Sequence, residues 1–156
     1  MKKILKWTGV ALVAAFILIQ FIRPDRTNPV SDPANDYTRS LLVPPDVKSI
    51  VDRACRDCHT NETVWPWYSN FAPVSWLLAD DVTEGRRHLN LSEWGKYTPK
   101  QKIKRLSDID GEVSDGSMPL PNYLRIHSEA VLTQVERDKI SHWADEEGRK
   151  LGGNDE

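Results

Sequence analysis

Residues 46–61 of the chain read DVKSIVDRACRDCHTN and contain its only two cysteines. Apolar positions recur at helical spacing from Val47 onward, which predicts a short amphipathic helix. This helix leads into the pentapeptide 55–59, Cys-Arg-Asp-Cys-His. The pattern C-x-x-C-H is typical of the covalent attachment of a c-type haem.

The spacing of the two cysteines has a chemical reason. Residues three apart on a helix share a face, so the Cys55 and Cys58 thiols can reach the two vinyl groups on one edge of a porphyrin. His59 then lies beneath the ring and can ligate the iron through an imidazole nitrogen. The sequence therefore predicts one covalently attached haem c as the cofactor.

Other uses of these three side chains stay open. A zinc site would need one further ligand, and structural zinc sites seldom take that form. A redox-active cysteine pair of the thioredoxin type would need a βαβ context, which the sequence does not predict. A disulfide between Cys55 and Cys58 would close a very small loop.

Length and composition narrow the class of protein. The chain has 156 residues, of which 39% are hydrophobic, and this suits one folded domain. Two cysteines cannot supply a disulfide framework. Because 21 Lys and Arg stand against 23 Asp and Glu, the charge balance gives no support to nucleic-acid binding.

The N-terminus is strongly apolar. Residues 7–22 carry no charge and follow three lysines. As a helix this stretch would extend about 24 Å, close to the thickness of a bilayer core once flanking residues are added. We predict an uncleaved, single transmembrane anchor over residues 1–22, in a bacterial inner membrane, with the following domain in the periplasm. The alternative is a cleaved signal peptide with a processing site at Val13-Ala14-Ala15.

The rest of the chain divides into a linker and one domain. Residues 23–45 are rich in proline and are predicted to lift the domain off the membrane. Residues 46–152 are predicted to form an all-α, cytochrome-c-like domain, since no segment alternates as a strand would. Four helices are expected, and Thr98 and Thr133 each begin a capping box. The four predicted starts are Asp46, Pro73, Thr98 and Thr133.

Met118 is the predicted sixth ligand of the iron. It lies in the proline-braced loop 116–121 rather than on an apolar stripe, so its thioether can be held against the open face of a haem. The competing ligands are His127, His88 and His142, of which His127 is the strongest. Methionine ligation raises the reduction potential and histidine ligation lowers it, so this choice changes the predicted chemistry.

Two further groups of side chains have predicted roles. An aromatic cluster between residues 65 and 76 is expected to pack against the haem edge, and a tryptophan N–H, Arg86 or Arg87 is a candidate donor to a haem propionate. The basic run Lys100 to Arg105 is interpreted as a solvated helix face, with a docking patch for an acidic redox partner as the alternative.

These motifs together resemble the bacterial haem-binding-domain family of cytochrome-c-like proteins. The resemblance covers roughly residues 40–150 and is most specific over 55–70. It implies an exported, often membrane-tethered c-type cytochrome domain, with His59 as proximal and Met118 as distal ligand. Beyond the C-x-x-C-H motif it rests on Asn61–Thr63, Trp65–Asn70, Pro73–Trp76, Gly85-Arg86, Leu89-Asn90, Trp94, Met118-Pro119 and His127.

Three functions are compatible with these residues. One-electron transfer between redox proteins fits best, because two filled axial positions leave no open iron, and the chain would then be an electron carrier rather than an enzyme. A peroxidase-like haem enzyme would need a displaceable sixth ligand, with His127 and Arg125 as acid–base groups. A haem-based sensor would also need an open site. The sequence does not identify the redox partners.

Overall fold

The protein is all-α, as predicted. The computed structural model describes residues 1–153, and these residues contain no β-strand. The α-helices, numbered in chain order, are α1 (Lys2–Ile19), α2 (Pro45–Ala54), α3 (Arg56–His59), α4 (Val74–His88), α5 (Pro99–Ser114), α6 (Pro121–Leu124) and α7 (Gln134–Gly152). Short 3-10 helices at Pro33–Asn35, Tyr37–Arg39, Trp67–Asn70, Leu91–Lys96 and Ser128–Ala130 connect them.

The four helices predicted from the sequence are α2, α4, α5 and α7. Both predicted capping boxes form, at Thr98 and at Thr133. In each box the hydroxyl accepts a hydrogen bond from the backbone N–H three residues later, and the side chain of that residue accepts one from the threonine N–H. α2 begins at Pro45 rather than after Asp46, because proline is suited to the first helical position.

The C-x-x-C-H motif forms a separate turn of helix. α2 ends at Ala54, and the backbone leaves the helical region at Cys55 (φ −123°, ψ −29°). The one-turn helix α3 then carries Cys58 and His59. This break, which the sequence did not predict, turns the motif out of the axis of α2.

The core of the domain consists of two clusters of buried side chains. α5 packs along α7, and these two helices contribute to both clusters. Cys55 and Ile109 pack against both clusters from partly buried positions. The first cluster contains Tyr37, Leu41, Val47, Val51, Leu91, Trp94, Leu106, Trp143 and Ala144, and the second contains Ile50, Ala54, Val113, Ala130, Leu132 and Ile140.

The N-terminal helix differs from the predicted transmembrane anchor. α1 has 18 residues, a length of about 27 Å, and it includes all three N-terminal lysines. No helix within residues 1–153 combines the length and the apolar character needed to cross a membrane. The helix ends before the apolar run does, because the Gln20 side chain turns toward the domain and bonds the Ala72 backbone.

The segment predicted as a linker, residues 23–45, packs on the domain instead of lifting it away. Tyr37 and Leu41 are four residues apart and are both buried in the first core cluster. The indole N–H of Trp143 donates to the Leu42 carbonyl at 3.0 Å. The prolines of this segment prevent a long helix, but they do not prevent side-chain packing, so the folded core begins before residue 46.

Leu41 and Leu42 provide a matched pair that tests this packing. Leu41 is 5% exposed and Leu42 is 75% exposed. We expect Leu41→Ala to lower the free energy of unfolding by about 2–5 kcal/mol, because it leaves a cavity in the core. Leu42→Ala is expected to stay within about 0.5 kcal/mol of the unsubstituted protein in the same urea titration. If both variants lowered the free energy of unfolding by the same small amount, a core that includes residues 37–41 would be contradicted.

Candidate haem-binding site

A cavity of about 570 Å³ brings together the four residues that were predicted to hold the cofactor. Cys55, Cys58 and His59 line it, and Met118 lines it from the loop before α6. The volume lies within the range of roughly 300–1,000 Å³ that is typical of small-molecule sites. Much of the remaining wall is apolar and includes Val51, Ala54, Leu78, Ile109, Val113, Leu132, Ile140 and Trp143.

The two cysteines do not form a disulfide. Burial raises the pKa of the Cys55 thiol and that of the Cys58 thiol to about 12, so both are neutral thiols at physiological pH. Within residues 1–153, no group of three or more His, Cys, Asp or Glu side chains is arranged to hold a metal ion. The geometry of the described residues therefore lends no support to the zinc alternative.

His59 is oriented by two backbone carbonyls at the end of α4. Its Nδ1 lies 3.1 Å from the Gly85 oxygen and 3.0 Å from the Leu89 oxygen. Both partners are acceptors, so Nδ1 carries the proton and Nε2 keeps its lone pair. Burial lowers the pKa of His59, which also favours the neutral ring. A neutral imidazole with a free Nε2 is the form that ligates iron.

Gly85 allows α4 to approach the motif closely enough for these bonds. A Cβ atom at this position would lie 2.7 Å from the Cys58 carbonyl oxygen and 3.1 Å from the Cys58 Cβ. The first distance is too short for any side chain, since both atoms belong to rigid parts of the structure. Glycine is therefore required at the crossing of α4 and the C-x-x-C-H turn.

Arg86 braces the loop that follows the motif and does not line the cavity, so its predicted role as a propionate donor gains no support from its position. Its Nε donates to the Thr60 carbonyl at 2.8 Å, and its terminal nitrogen donates to Thr63 Oγ1 at 2.8 Å and to Asn28 Oδ1 at 2.7 Å. These three bonds engage the Nε and one terminal nitrogen of the side chain with the loop after the motif and with Asn28. Arg87 is exposed and pairs with Glu84, so it does not fit that role either.

The Met118 loop is fixed by backbone hydrogen bonds. The Met118 N–H donates to the Glu112 carbonyl at 3.0 Å. Arg137 donates to the Met118 carbonyl at 3.1 Å and to the Val113 carbonyl at 2.9 Å. The half-buried Met118 side chain is thereby held at the cavity wall.

His127, the main competing ligand, does not line the cavity. Its Nε2 lies 2.5 Å from the Tyr68 hydroxyl and its Nδ1 lies 2.8 Å from Glu129 Oε1. The ring also stacks on Tyr123, with centroids 4.1 Å apart. Both ring nitrogens are therefore engaged elsewhere.

The other two histidines are exposed. His142 is 70% exposed beside Glu146, and it is not among the cavity residues. His88 lines the cavity, but its side chain is 63% exposed and lies 3.7 Å from Glu84. Of the four candidate sixth ligands, Met118 has the most enclosed position on the cavity wall.

Arg105 is a cavity residue to which the sequence analysis gave no individual role. Its Nε is buried without a hydrogen-bond partner, and its guanidinium carbon lies 5.7 Å from the centre of the Tyr97 ring. A buried N–H without a partner costs about 1–3 kcal/mol, so the cavity suits a ligand with an anionic group. Haem carries two carboxylates and a large apolar ring, so the unpartnered Arg105 Nε and the largely apolar cavity wall fit it. The available signal was the helical spacing of Arg105 and Ile109, which line the same cavity.

The predicted aromatic cluster lies elsewhere. None of its members, Trp65, Trp67, Tyr68, Phe71 and Trp76, lines the cavity. The aromatic residues that do line it are Tyr123 and Trp143. Tyr123 donates a hydrogen bond from its hydroxyl to Asp57 Oδ2 at 3.0 Å, which ties α6 to the C-x-x-C-H turn.

Fold and site together define a small all-α protein with a C-x-x-C-H motif in the wall of a largely apolar cavity. A family model described as Haem-binding domain matches residues 14–146, and the chain belongs to this haem-binding domain family. The resemblance found in the sequence is confirmed, and haem is the ligand class that family membership implies. No curated protein and no solved structure matches the chain.

Gly85 and Gly111 are a matched pair of helical glycines that tests the packing of α4 on the motif. A Cβ at Gly111 would meet nothing within 4 Å. We expect Gly85→Ala to reduce both the yield of haem-containing protein and the free energy of unfolding, because the methyl group collides with Cys58. Gly111→Ala should be neutral or stabilising by up to about 1 kcal/mol. If the two variants match in haem content and in urea unfolding, the close approach of α4 is not required.

Proposed function

We propose that the protein is a c-type cytochrome that carries one electron at a time. Cys55 and Cys58 would hold one haem c through thioether bonds, and His59 and Met118 would be its axial ligands. The observation that carries this proposal is the single cavity lined by all four side chains. Membership of the haem-binding domain family supports the cofactor.

The chain's own groups have distinct tasks in this proposal. The Gly85 and Leu89 carbonyls hold the His59 ring and increase its basicity through Nδ1–H. Arg137 holds the backbone of Met118. The apolar walls exclude water, and the unpartnered Arg105 Nε would donate to a haem carboxylate.

A haem iron with histidine and methionine ligands supplies the exchange of one electron between its ferric and ferrous states, at a raised reduction potential. A carrier of this kind needs both ligands held in place, so that little reorganises on electron transfer. The hydrogen bonds at His59 and around the Met118 backbone support such rigidity. The partners would be other redox proteins.

A peroxidase-like enzyme or a haem-based sensor is the alternative function. Either would need Met118 to leave the iron and an acid–base group to take its place. His127, the group considered for that task, is bonded to Tyr68 and Glu129 and lies outside the cavity lining. Electron transfer therefore has the stronger support.

We further propose that α1 attaches the protein to a bacterial inner membrane, with the domain on the periplasmic side. Residues 1–18 are all exposed, and most of those after Lys6 are apolar. Insertion of α1 into lipid would remove this apolar surface from water, which is favourable. The three lysines at its start would be attracted to anionic lipid headgroups.

Replacement of Met118 tests the ligation. We expect the unsubstituted protein to give a c-type pyridine haemochrome and the ferric methionine–iron charge-transfer band. Met118→Ala should keep the haemochrome and lose the band, with a lower reduction potential. His127→Ala is the control and should keep both.

Three other results would contradict parts of this proposal. An unchanged band and potential in Met118→Ala would exclude Met118 as ligand. Loss of low-spin features in His127→Ala alone would assign that role to His127. A protein that releases its haem in acidified acetone would exclude covalent attachment to Cys55 and Cys58.

Arg105 and Lys104 are adjacent cations that test the carboxylate contact. Both line the cavity and pair with Asp108, but the Lys104 side chain is 68% exposed and the Arg105 side chain only 21%, so solvent screens the charge of Lys104 more. We expect Arg105→Leu to lower the reduction potential by about 59 mV, a tenfold change in the one-electron equilibrium, since a partly buried positive charge beside the cavity would disfavour ferric iron. Lys104→Leu should cause a much smaller shift, and Arg105→Lys a partial one. Equal shifts from the two leucine variants would exclude a specific role for Arg105.

A further inference from the structure

An exposed apolar patch lies on the side of the domain where α4 begins. We call it the apolar face: Trp67, Phe71, Val74 and Leu77, which are 76%, 50%, 41% and 65% exposed. The rings of Trp67 and Phe71 are in edge contact, with centroids 6.1 Å apart. Val74 and Leu77 are three residues apart on α4 and share a side of that helix. Neighbouring apolar side chains exposed together mark a binding surface more often than scattered ones do.

The end of α1 is fixed to this same region. The Gln20 amide donates to the Ala72 carbonyl at 3.1 Å and accepts from the Ala72 N–H at 2.9 Å. The indole N–H of Trp76 donates to the Ile22 carbonyl at 2.7 Å. Ala72 lies between Phe71 and Val74 in the sequence, so the chain leaves α1 directly beside the apolar face.

Arg26 adds a second attachment a few residues further on. Its guanidinium donates to the Ser69 carbonyl at 2.9 Å, to Ser69 Oγ at 2.7 Å and to Asn70 Oδ1 at 3.0 Å. Ser69 and Asn70 belong to the turn that carries Trp67. The chain between α1 and the domain is therefore bonded down rather than free to extend.

We infer that the apolar face enters the interfacial layer of the membrane to which α1 is attached. This inference rests on the proposed attachment through α1. A surface bonded to the end of a membrane-inserted helix lies at the level of the lipid headgroups, where tryptophan is enriched. Phe21 and Ile22, which are 80% and 64% exposed, extend the apolar surface from α1 to the face. The occupant of the face is lipid, and the domain sits on the bilayer in one fixed orientation.

Photochemical crosslinking tests this contact in the full haem-loaded chain. Phe71 is replaced by p-benzoylphenylalanine, and the protein is reconstituted into phosphatidylethanolamine–phosphatidylglycerol vesicles and illuminated. The same replacement at Phe16 in α1 is the positive control. Leu42, which is 75% exposed on the segment that packs on α7, is the negative control. Leu77 serves as a second site on the apolar face.

We expect positions 71 and 77 to yield at least tenfold more protein–lipid adduct by mass spectrometry than position 42, as position 16 does. Lipid adduct at position 16 but none at 71 or 77 would show that α1 is attached to lipid and that the apolar face does not contact it. Protein–protein adducts at 71 would assign the face to a second copy of the chain. No lipid adduct at 16 would overturn the attachment and this inference with it. A haemochrome spectrum of the same samples reports the cofactor separately.

Discussion

The contact between the end of α4 and the C-x-x-C-H turn is the constraint on which the site depends. It requires glycine at position 85, because any Cβ there would overlap Cys58. The approach brings the Gly85 and Leu89 carbonyls to His59 Nδ1. The Gly85 carbonyl also accepts the Leu89 N–H at 2.9 Å, so the imidazole is its second donor and joins the capped end of α4 to the motif. This one contact thus joins α4 to the motif and fixes the tautomer of the proposed ligand.

Much of this arrangement could be predicted because its signals are local. The C-x-x-C-H motif, the capping boxes at Thr98 and Thr133 and the isolated Met118 are each contained in a few residues. Arg105 had no such signal. It stands in a run of basic residues that all suit a solvated helix face, and only the packing of α5 turns it toward the cavity. Its unpartnered Nε belongs to tertiary structure, which composition does not report.

The expectations that differed from the structure came from rules of composition. Proline-rich segments often act as spacers, but Tyr37 and Leu41 lie one helical turn apart and fill the core beside Trp94. Clustered aromatic residues are usually buried, yet Trp67 and Phe71 remain exposed. Both differences have one physical origin. The chain after α1 is bonded to the domain, which places the spacer in the core and the aromatic turn beside the end of α1.

The position of the cavity relates the cofactor to the stability of the fold. Val51 and Trp143 of the first core cluster line it, as do Val113 and Ile140 of the second. An apolar ligand between the clusters would bury surface on both, so its binding free energy would add to that of folding. For a ligand that dissociates, this gain depends on its concentration. The proposed covalent attachment through Cys55 and Cys58 would remove that dependence, which would be an advantage in a domain with so small a core.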